Sequence, residues 1–136
     1  MQAFSDAGIY LFLDVDTFTT MIEQTDPQWT TASFANFTKV IDAFDQYDNV
    51  AGFFISNEGV STPDGTAAAP YIKAAVRDTK AYMKSKGGRY IPMGYSAADI
   101  ASIRPMFQDY LVCGPVEDTI DFFAVNIYEW VTRFWR

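Results

Sequence analysis

Short apolar runs alternate along the chain with longer segments whose apolar residues recur at helical spacing, and this alternation constrains the fold more than any other feature. The apolar runs lie at 8–16, 50–58, 90–96 and 119–130, and the helical segments at 31–48, 71–87 and 103–113. Alternating strand and helix patterns predict parallel strands that are joined by crossover helices. Two architectures fit such units: an open doubly wound sheet, and part of a (β/α)8 TIM barrel.

The length of the chain bears differently on these two architectures. Its 136 residues suffice for one α/β domain, and an apolar content of 49% is enough for a buried core. A complete (β/α)8 barrel, however, needs about 250 residues. If the units belong to a barrel, the four predicted strands supply about half of it.

Charge and residue type exclude several classes of function. The formal net charge is −7 and no run of Lys or Arg occurs, so neither nucleic acid nor an anionic membrane is an expected partner. Histidine is absent, which excludes Ser-His-Asp and Cys-His chemistry and leaves acid–base work to carboxylates, Tyr, Lys or the single cysteine, Cys113. No apolar stretch approaches the roughly 20 residues of a membrane helix, so we expect no transmembrane segment. The N-terminus also lacks the basic and apolar regions of a signal peptide.

Polar side chains stand where each apolar run ends. They are Asp14 and Asp16, Asn57 and Glu58, the segment 95–99, and Asn126, Tyr128 and Glu129. In both architectures the carboxyl ends of the strands form one rim where ligands bind. The sequence thus predicts a pocket of acids, amides and phenols, which suits a neutral polyhydroxy ligand such as a sugar. The alternative is that these residues are ordinary loop onsets or helix caps.

Asn57 and Glu58 form the most informative of these clusters. A buried strand gains nothing from an unpaired carboxylate at its tip. Glycoside chemistry, in contrast, needs two carboxyl groups, about 5–5.5 Å apart in a retaining mechanism. An Asn beside the acid can hydrogen-bond the sugar 2-hydroxyl, and this bond strengthens in the transition state. The competing interpretation makes Glu58 a solvated loop residue and Asn57 the cap of a turn.

The sequence gives little reason to expect a cofactor or a metal. No loop of the GxGxxG or Walker type follows any predicted strand. Asp14 and Asp16 could together hold a hard metal ion, but no His or Cys cluster joins them. We therefore expect neither a metal nor a cofactor.

Four stretches of the sequence resemble one enzyme family. They are DAGIYLFLDVDT (6–17), KVIDAFDQYDNVAGFFISNE (39–58), AAPYIKAAVRDTKAYMKSKG (68–87) and IPMGYSAADI (91–100). The family is that of the fungal β-1,3-glucanosyltransferases of glycoside hydrolase family 72, the Gas/Gel/Phr-type cell-wall enzymes. The resemblance implies part of a (β/α)8 catalytic domain, a retaining mechanism and no cofactor. It also implies β-1,3-glucan chains as donor and acceptor, and a GPI-anchored location outside the plasma membrane.

The resemblance also implies roles for individual residues. Glu58 is similar to the general acid/base of the family, and Asn57 to the amide that binds the donor beside it. The other implied sites are Asp14 and Asp16 on the donor side, Asp99 and Arg104 on the acceptor side, Tyr128 beside the strand of the nucleophile, and Asn36 as a glycan acceptor in the sequon 36–38.

Three of these residues also have purely structural interpretations. Asp99 could cap the helix that follows it, and Arg104 could pair with Asp109 on the surface. Tyr128 could pack in the core. In each case the sequence leaves both interpretations open.

The chain also departs from the family pattern. The nucleophilic glutamate lies in a family motif resembling FSEYG, which this sequence lacks. Cys113 matches a family disulfide cysteine whose partner would follow residue 136. We expect residues 1–136 to be a partial catalytic domain without the N-terminal strands and the nucleophile region, inactive by itself. The alternatives are a non-catalytic β-glucan-binding fragment and a retaining β-glucan hydrolase of the same clan.

Overall fold

Four parallel strands, paired in chain order, form the centre of the fold in a computed structural model that describes residues 1–128. The strands are β1 Leu11–Asp14, β2 Val50–Asn57, β3 Met93–Ala98 and β4 Phe122–Asn126. A doubly wound sheet reverses its strand order, whereas neighbouring strands of a (β/α)8 barrel follow the chain. The order β1-β2-β3-β4 therefore favours the barrel, and the four predicted strands are confirmed. The last two residues of the predicted strand 119–130 lie outside the described residues.

Helices precede or follow these strands. They are α1 Gln2–Asp6, α2 Thr31–Phe44, α3 Ala69–Lys86 and α4 Arg104–Val112. The three predicted helices are confirmed, and Pro70 and Pro105 lie in the first turns of α3 and α4, where the helix leaves N–H groups unpaired anyway. The sequence pattern does not predict α1, because none of its residues is buried and no apolar face marks it. Among residues 1–128, no helix has the length and hydropathy needed to cross a bilayer.

The outer face of the sheet packs against helices and forms the hydrophobic core. Phe53 and Ile55 of β2 are fully buried in this core. Phe37 and Ile41 of α2 and Ile72 of α3 belong to the same cluster and are equally buried. Alternate residues of a strand point to opposite faces, so the remaining residues of β2 face the other way.

The opposite face of the sheet, which we call the inner face, carries three aromatic rings. The ring centroid of Phe122 lies 5.2 Å from that of Phe12 and 5.3 Å from that of Phe54. Phe12 is 53% exposed, in contrast to the buried side chains of the outer face. Further along these strands, the same face carries the polar residues Asp14 and Asn126. An aromatic layer thus lies beneath the polar strand ends.

Gly94 leaves room for one of these rings. A Cβ atom at position 94 would lie 2.3 Å from the ring of Phe122, closer than such atoms approach in proteins. The Phe122 ring also contacts Phe12 and Phe54 edge to face, which limits its movement. Glycine is therefore required at position 94 by close approach.

We expect Gly94→Ala to lower the free energy of unfolding by about 1–3 kcal/mol, the usual range for overpacking. Gly88→Ala is the matched control, because a Cβ at position 88 meets no atom within 4 Å. Urea unfolding followed by tryptophan fluorescence measures both variants. Unchanged stability of Gly94→Ala would show that the Phe122 ring moves aside at little cost.

A partly buried ion pair ties α3 to the amino ends of β3 and β4. The Nζ of Lys80 donates to Oδ1 of Asp121 at 2.8 Å. It also donates to the carbonyl oxygens of Thr119 and Val116, at 2.7 and 3.0 Å. The other oxygen of Asp121 accepts a hydrogen bond from the Met93 backbone N–H at 2.7 Å. Burial raises the pKa of Asp121, but the bonds from Lys80 and Met93 outweigh burial, so the net pKa lies below the usual value.

We expect Lys80→Met to lower the free energy of unfolding by about 1–3 kcal/mol at pH 7, because it leaves the partly exposed Asp121 charge without its ionic partner. The pKa of Asp121 is depressed in the folded chain, so its contribution is present above the ordinary value of 3.8 and is lost as the pH falls further. The difference in stability should therefore become smaller in acid, without vanishing, because the bonds from Lys80 to the Thr119 and Val116 carbonyls are lost at every pH. Lys84→Met, on the exposed part of the same helix, is the control. Equal losses for the two variants in urea unfolding would contradict a stabilising role for the ion pair between Lys80 and Asp121.

Candidate active site

Glu58 follows β2 in an uncommon backbone conformation. Its φ is +51°, the one positive φ of a non-glycine residue within 1–128. The left-handed region costs a residue with a Cβ about 1–2 kcal/mol, and such strain concentrates at functional sites. The Glu58 N–H donates to the carbonyl oxygen of Ser96 at 2.8 Å. The neighbouring strand β3 thus holds Glu58 in this turn.

The turn coincides with an irregularity in strand pairing. The register between β2 and β3 shifts between Phe54 and Asn57. In a regular strand, Asn57 and Glu58 would point to opposite faces of the sheet. The shift and the left-handed turn instead bring both side chains to Asn126 at the end of β4. Two residues that are adjacent in sequence therefore become a side-by-side pair.

Asn126 connects the ends of three strands. Its Nδ2 donates to Oε1 of Glu58 at 2.7 Å and to Oδ1 of Asn57 at 2.9 Å. Its Oδ1 accepts a hydrogen bond from the hydroxyl of Ser96 at 2.9 Å. The carboxyl ends of β2, β3 and β4 are thus joined by side chains as well as by backbone pairing.

Tyr95 lies between the two acidic parts of the rim. It is fully buried, and its hydroxyl oxygen accepts a hydrogen bond from the Val60 backbone N–H at 3.1 Å. Burial raises the pKa of Tyr95 above its usual range, and the negative charges of Asp16 and Glu58 act in the same direction. Tyr95 is therefore a neutral phenol close to both carboxyl groups.

Asp14 and Asp16 form the other acidic part, at the end of β1. Burial raises the pKa of Asp14. Burial and the charge of Asp14 raise the pKa of Asp16 to about 6, against the lowering effect of Ser56 and the Asn57 backbone. The Ser56 hydroxyl is close enough to affect this pKa, yet it forms no hydrogen bond of ordinary geometry within the described residues. Asp16 can thus retain a proton in mildly acidic solution and donate it to a ligand oxygen.

The predicted acceptor-side residues Asp99 and Arg104 contact each other. The Arg104 guanidinium forms an ion pair with the Asp99 carboxylate, beyond the end of β3. The surface interpretation, in which Arg104 pairs with Asp109, is wrong. The residue at the N-cap of α4 is Ile103, so Asp99 is not the cap of that helix either. Both side chains are partly exposed, which leaves them accessible to a ligand.

The structure does not place Tyr128 in the core. It follows β4 and is 81% exposed, so the packing interpretation of this residue is wrong. Its neighbour Glu129, which the sequence also placed among the strand-end polar residues, lies outside the described residues. A role for Tyr128 in substrate binding stays a prediction.

Asn36 and Cys113 lie away from this rim. Asn36 is half-buried within α2, and the Thr38 hydroxyl of its sequon donates to the Ala35 carbonyl at 3.1 Å. Glycosylation of Asn36 stays a prediction. Cys113 is exposed at the end of α4, with its Sγ 3.5 Å from Nζ of Lys73. Its disulfide, implied by the family resemblance, is likewise untested.

Sequence reasoning gave no role to Asn126, Ser96 or Tyr95. Asn126 and Tyr95 were among the polar residues at strand ends, but their partners depend on the pairing register, which composition does not reveal. The signal that could have identified Asn126 is its position two residues after Ala124 and four after Phe122 on the inner face. In residues 1–128 no three His, Cys, Asp or Glu side chains are grouped as metal ligands.

The fold and the rim together define a class of protein. A sheet with barrel strand order carries, at its carboxyl rim, one glutamate that is hydrogen-bonded beside an asparagine and a separate pair of aspartates. This arrangement is typical of (β/α)8 enzymes, in which catalytic residues stand at the carboxyl ends of the strands, and it resembles the rim of those that act on sugars.

The chain belongs to the glucanosyltransferase family, glycoside hydrolase family 72, whose family model matches residues 1–134. Protein EPD1 of Candida maltosa is 46% identical over 130 residues, which cover 96% of this chain and 24% of the relative. The 1,3-beta-glucanosyltransferase gas1 of Schizosaccharomyces pombe is 45% identical with the same coverage. The chain therefore spans about a quarter of the length of these curated relatives.

Solved structures confirm the predicted fold class. A mutant of Saccharomyces cerevisiae Gas2p, in complex with laminaritetraose and laminaripentaose, matches with a TM-score of 0.89 at 37% identity. The match covers 95% of this chain and 29% of that chain. Gas2 is a TIM barrel, and this chain corresponds to a fragment of it. The barrel interpretation is correct, and the doubly wound alternative is wrong.

The raised pKa of Asp16 generates a prediction about stability. The folded chain holds this proton until about pH 6, whereas an ordinary Asp loses it near 3.8. The stability that the proton contributes is complete below about 3.8 and is lost as the pH rises through about 6. We therefore expect Asp16→Asn, which cannot ionise, to exceed the parent by about 1–2 kcal/mol at pH 8, a figure discounted for solvent access.

Urea unfolding at pH 4 and pH 8 measures this difference, which should nearly vanish at the lower pH. Carbon-13 NMR of the carboxyl group locates the Asp16 titration directly. Asp14→Asn is the companion variant, and it should lower the pKa of Asp16 because it removes a neighbouring negative charge. A stability difference that does not change with pH would contradict the assignment.

Proposed function

We propose that this chain forms the acid–base part of a retaining 1,3-β-glucanosyltransferase site. The observation that carries the proposal is the hydrogen-bonded pair of Asn57 and Glu58 at the carboxyl rim of a family 72 barrel fragment. Relatives that bear the name 1,3-beta-glucanosyltransferase support it. The solved Gas2p complex with laminaritetraose and laminaripentaose supports β-1,3-linked glucose chains as the substrate class.

Glu58 acts as the acid and the base in this proposal. In the first step it gives its proton to the glycosidic oxygen of the departing chain, while a second carboxylate attacks the anomeric carbon and forms the covalent glycosyl-enzyme. In the second step Glu58 takes the proton of an acceptor hydroxyl, whose oxygen displaces the enzyme carboxylate. A new glycosidic bond replaces the one that was cleaved.

The other rim residues bind the two chains. Asn57 donates to the 2-hydroxyl of the donor sugar beside the reacting carbon. Asp14 and Asp16 bind donor hydroxyls, and the protonated form of Asp16 adds a hydrogen-bond donor. The acceptor contacts are Asp99, Arg104 and Tyr128. The location implied by the family, GPI-anchored on the outer face of the plasma membrane in the cell wall, is part of this proposal.

A non-catalytic glucan-binding role is the second candidate, and one observation favours it. The network among the described residues contains a single glutamate, Glu58. The family nucleophile belongs to a motif that the sequence lacks. Without a nucleophilic carboxylate no glycosyl-enzyme forms. We therefore expect the 136-residue chain, tested by itself, to bind β-1,3-glucan oligomers without turnover.

Thermal unfolding with and without laminaripentaose tests the proposed binding. We expect one cooperative transition whose midpoint rises with the oligosaccharide, because a ligand that binds only the folded chain stabilises it. Glu58→Gln should bind as well as the parent, since glutamine retains the shape of the side chain and an oxygen that can accept from Asn126. Asn57→Ala should weaken binding about five- to tenfold through the loss of one hydrogen bond.

Gln46→Ala is the matched control, because Gln46 lies between α2 and β2 at the opposite rim and bonds to the Ala43 carbonyl. Absence of any midpoint shift with laminaripentaose would overturn the binding proposal. Product analysis tests the expected absence of turnover. Longer oligosaccharides would mean that the chain transfers glucan without the family nucleophile motif, and shorter ones alone would mean hydrolysis; either result would contradict the expectation.

A further inference from the structure

We infer that Asn126 is a positioning residue for Glu58, and that it decides which carboxyl oxygen carries the catalytic proton. This inference deepens the proposed function and rests on it for the role of Glu58. Its structural basis is the three hydrogen bonds that Asn126 makes with Glu58, Asn57 and Ser96. The side-chain amide of Asn126 does not gain or lose a proton near neutral pH, so any effect of Asn126 on catalysis acts through Glu58.

The orientation of the Asn126 amide is fixed by its partners. Its NH2 group has two hydrogens, and the two acceptors Glu58 Oε1 and Asn57 Oδ1 use both. Its oxygen accepts from the Ser96 hydroxyl. A flipped amide would place its oxygen against two other acceptor oxygens, which repel it. These two acceptors therefore hold the amide with its donors toward Glu58 and Asn57, and the Ser96 hydroxyl completes its hydrogen bonds.

This orientation determines where the proton of Glu58 resides. Oε1 accepts a hydrogen bond from Asn126 at 2.7 Å, so a proton on Oε1 would point at a donor hydrogen. The proton of the neutral acid is therefore carried by Oε2. Because Oε1 is held from the side of β4, Oε2 is the oxygen that can turn toward the glycosidic bond. Asn126 thus distinguishes two oxygens that are chemically equivalent in a free carboxyl group.

The same contact orients Asn57. Its Oδ1 accepts from Asn126 at 2.9 Å, so its own NH2 group is directed away from Asn126. Asn57 is exposed at the rim, which leaves this NH2 group accessible to a ligand hydroxyl. The Asn126 side chain therefore orients two groups at once: the Oε2 of Glu58, which carries the proton, and the NH2 group of Asn57, which can donate to a ligand.

NMR spectroscopy of the 136-residue chain without glucan tests the contact directly. We expect the side-chain NH2 signals of Asn126 to move with pH in step with the carboxyl carbon of Glu58, because the donor senses the charge of its acceptor. In Glu58→Gln this movement should disappear. If the Asn126 signals of the parent chain do not move when Glu58 ionises, the inference is overturned. This measurement does not depend on the folding of any Asn126 variant.

Asn126→Asp tests the positioning role with a near-isosteric change. It replaces a donor with a second carboxyl group beside Glu58, so the pair should release its last proton about one or more pH units higher than Glu58 does in the parent. Tyr95, whose pKa responds to the charges of both Glu58 and Asp16, is the neighbouring titratable group, and it stays unchanged in this variant. A merely structural role for Asn126 would lower the thermal midpoint without moving this titration, and that result would contradict the inference.

Ser96→Ala removes the hydrogen bond to the Asn126 amide oxygen, so the amide is held less firmly and we expect weaker coupling between Asn126 and Glu58. Ser85→Ala, which removes a hydroxyl bonded to the Tyr82 carbonyl on α3, is the matched control and should leave the coupling intact. A Ser96→Ala variant with full coupling would show that the bond from Ser96 does not help to position Asn126. Because these titrations are recorded without glucan, loss of laminaripentaose binding would count against the proposed function alone.

Discussion

Parallel pairing in chain order is the constraint on which the rest of this structure depends. When each strand lies beside the next in sequence and points the same way, every carboxyl end reaches one rim. Segments that are far apart in sequence, such as those around Asp16, Glu58 and Asn126, then become neighbours. The chemistry at the rim therefore requires the backbone ladder, and no single loop could assemble it.

The geometry at the rim also depends on a local departure from regular pairing. A register shift before Asn57 and a left-handed turn at Glu58 convert consecutive residues into a pair that faces one amide. The backbone strain of this turn is compensated by hydrogen bonds to Ser96 and Asn126, both on strands. A site held by strand ends is more accurately placed than one held by loops alone. The rings of Phe12, Phe54 and Phe122 pack against one another beneath these strand ends and limit the movement of the strands there.

Much of this arrangement could be predicted from the sequence, for identifiable reasons. Alternating periodicity predicts the strands and the three longer helices, because their faces are buried and the pattern records burial. The polar residues Asp14, Asn57 and Glu58 are recognisable at strand ends, because a carboxylate after an apolar run needs an explanation. The family resemblance resolved the choice between a barrel and a doubly wound sheet, which periodicity alone left open.

Other features could not be predicted, because they arise from pairing between distant segments. The hydrogen bonds of Asn126 depend on which residue of β4 lies beside which residue of β3, and that register is a property of the assembled sheet. The ion pair of Arg104 with Asp99 depends on how the chain turns after β3. The short helix α1 lacks a buried face, so no hydrophobic periodicity in the sequence predicts it.

The ion pair between Lys80 and Asp121 lies at the amino ends of the strands, whereas Glu58 and its hydrogen-bond partners lie at the carboxyl ends. The contacts that hold the helix to the strands and the residues of the candidate site therefore lie at opposite rims of the same sheet. Substitutions can accordingly change the ligand contacts at one rim while the other rim keeps the strands together. The architecture is in this sense permissive: it separates the residues that a lineage can vary from those that it must retain.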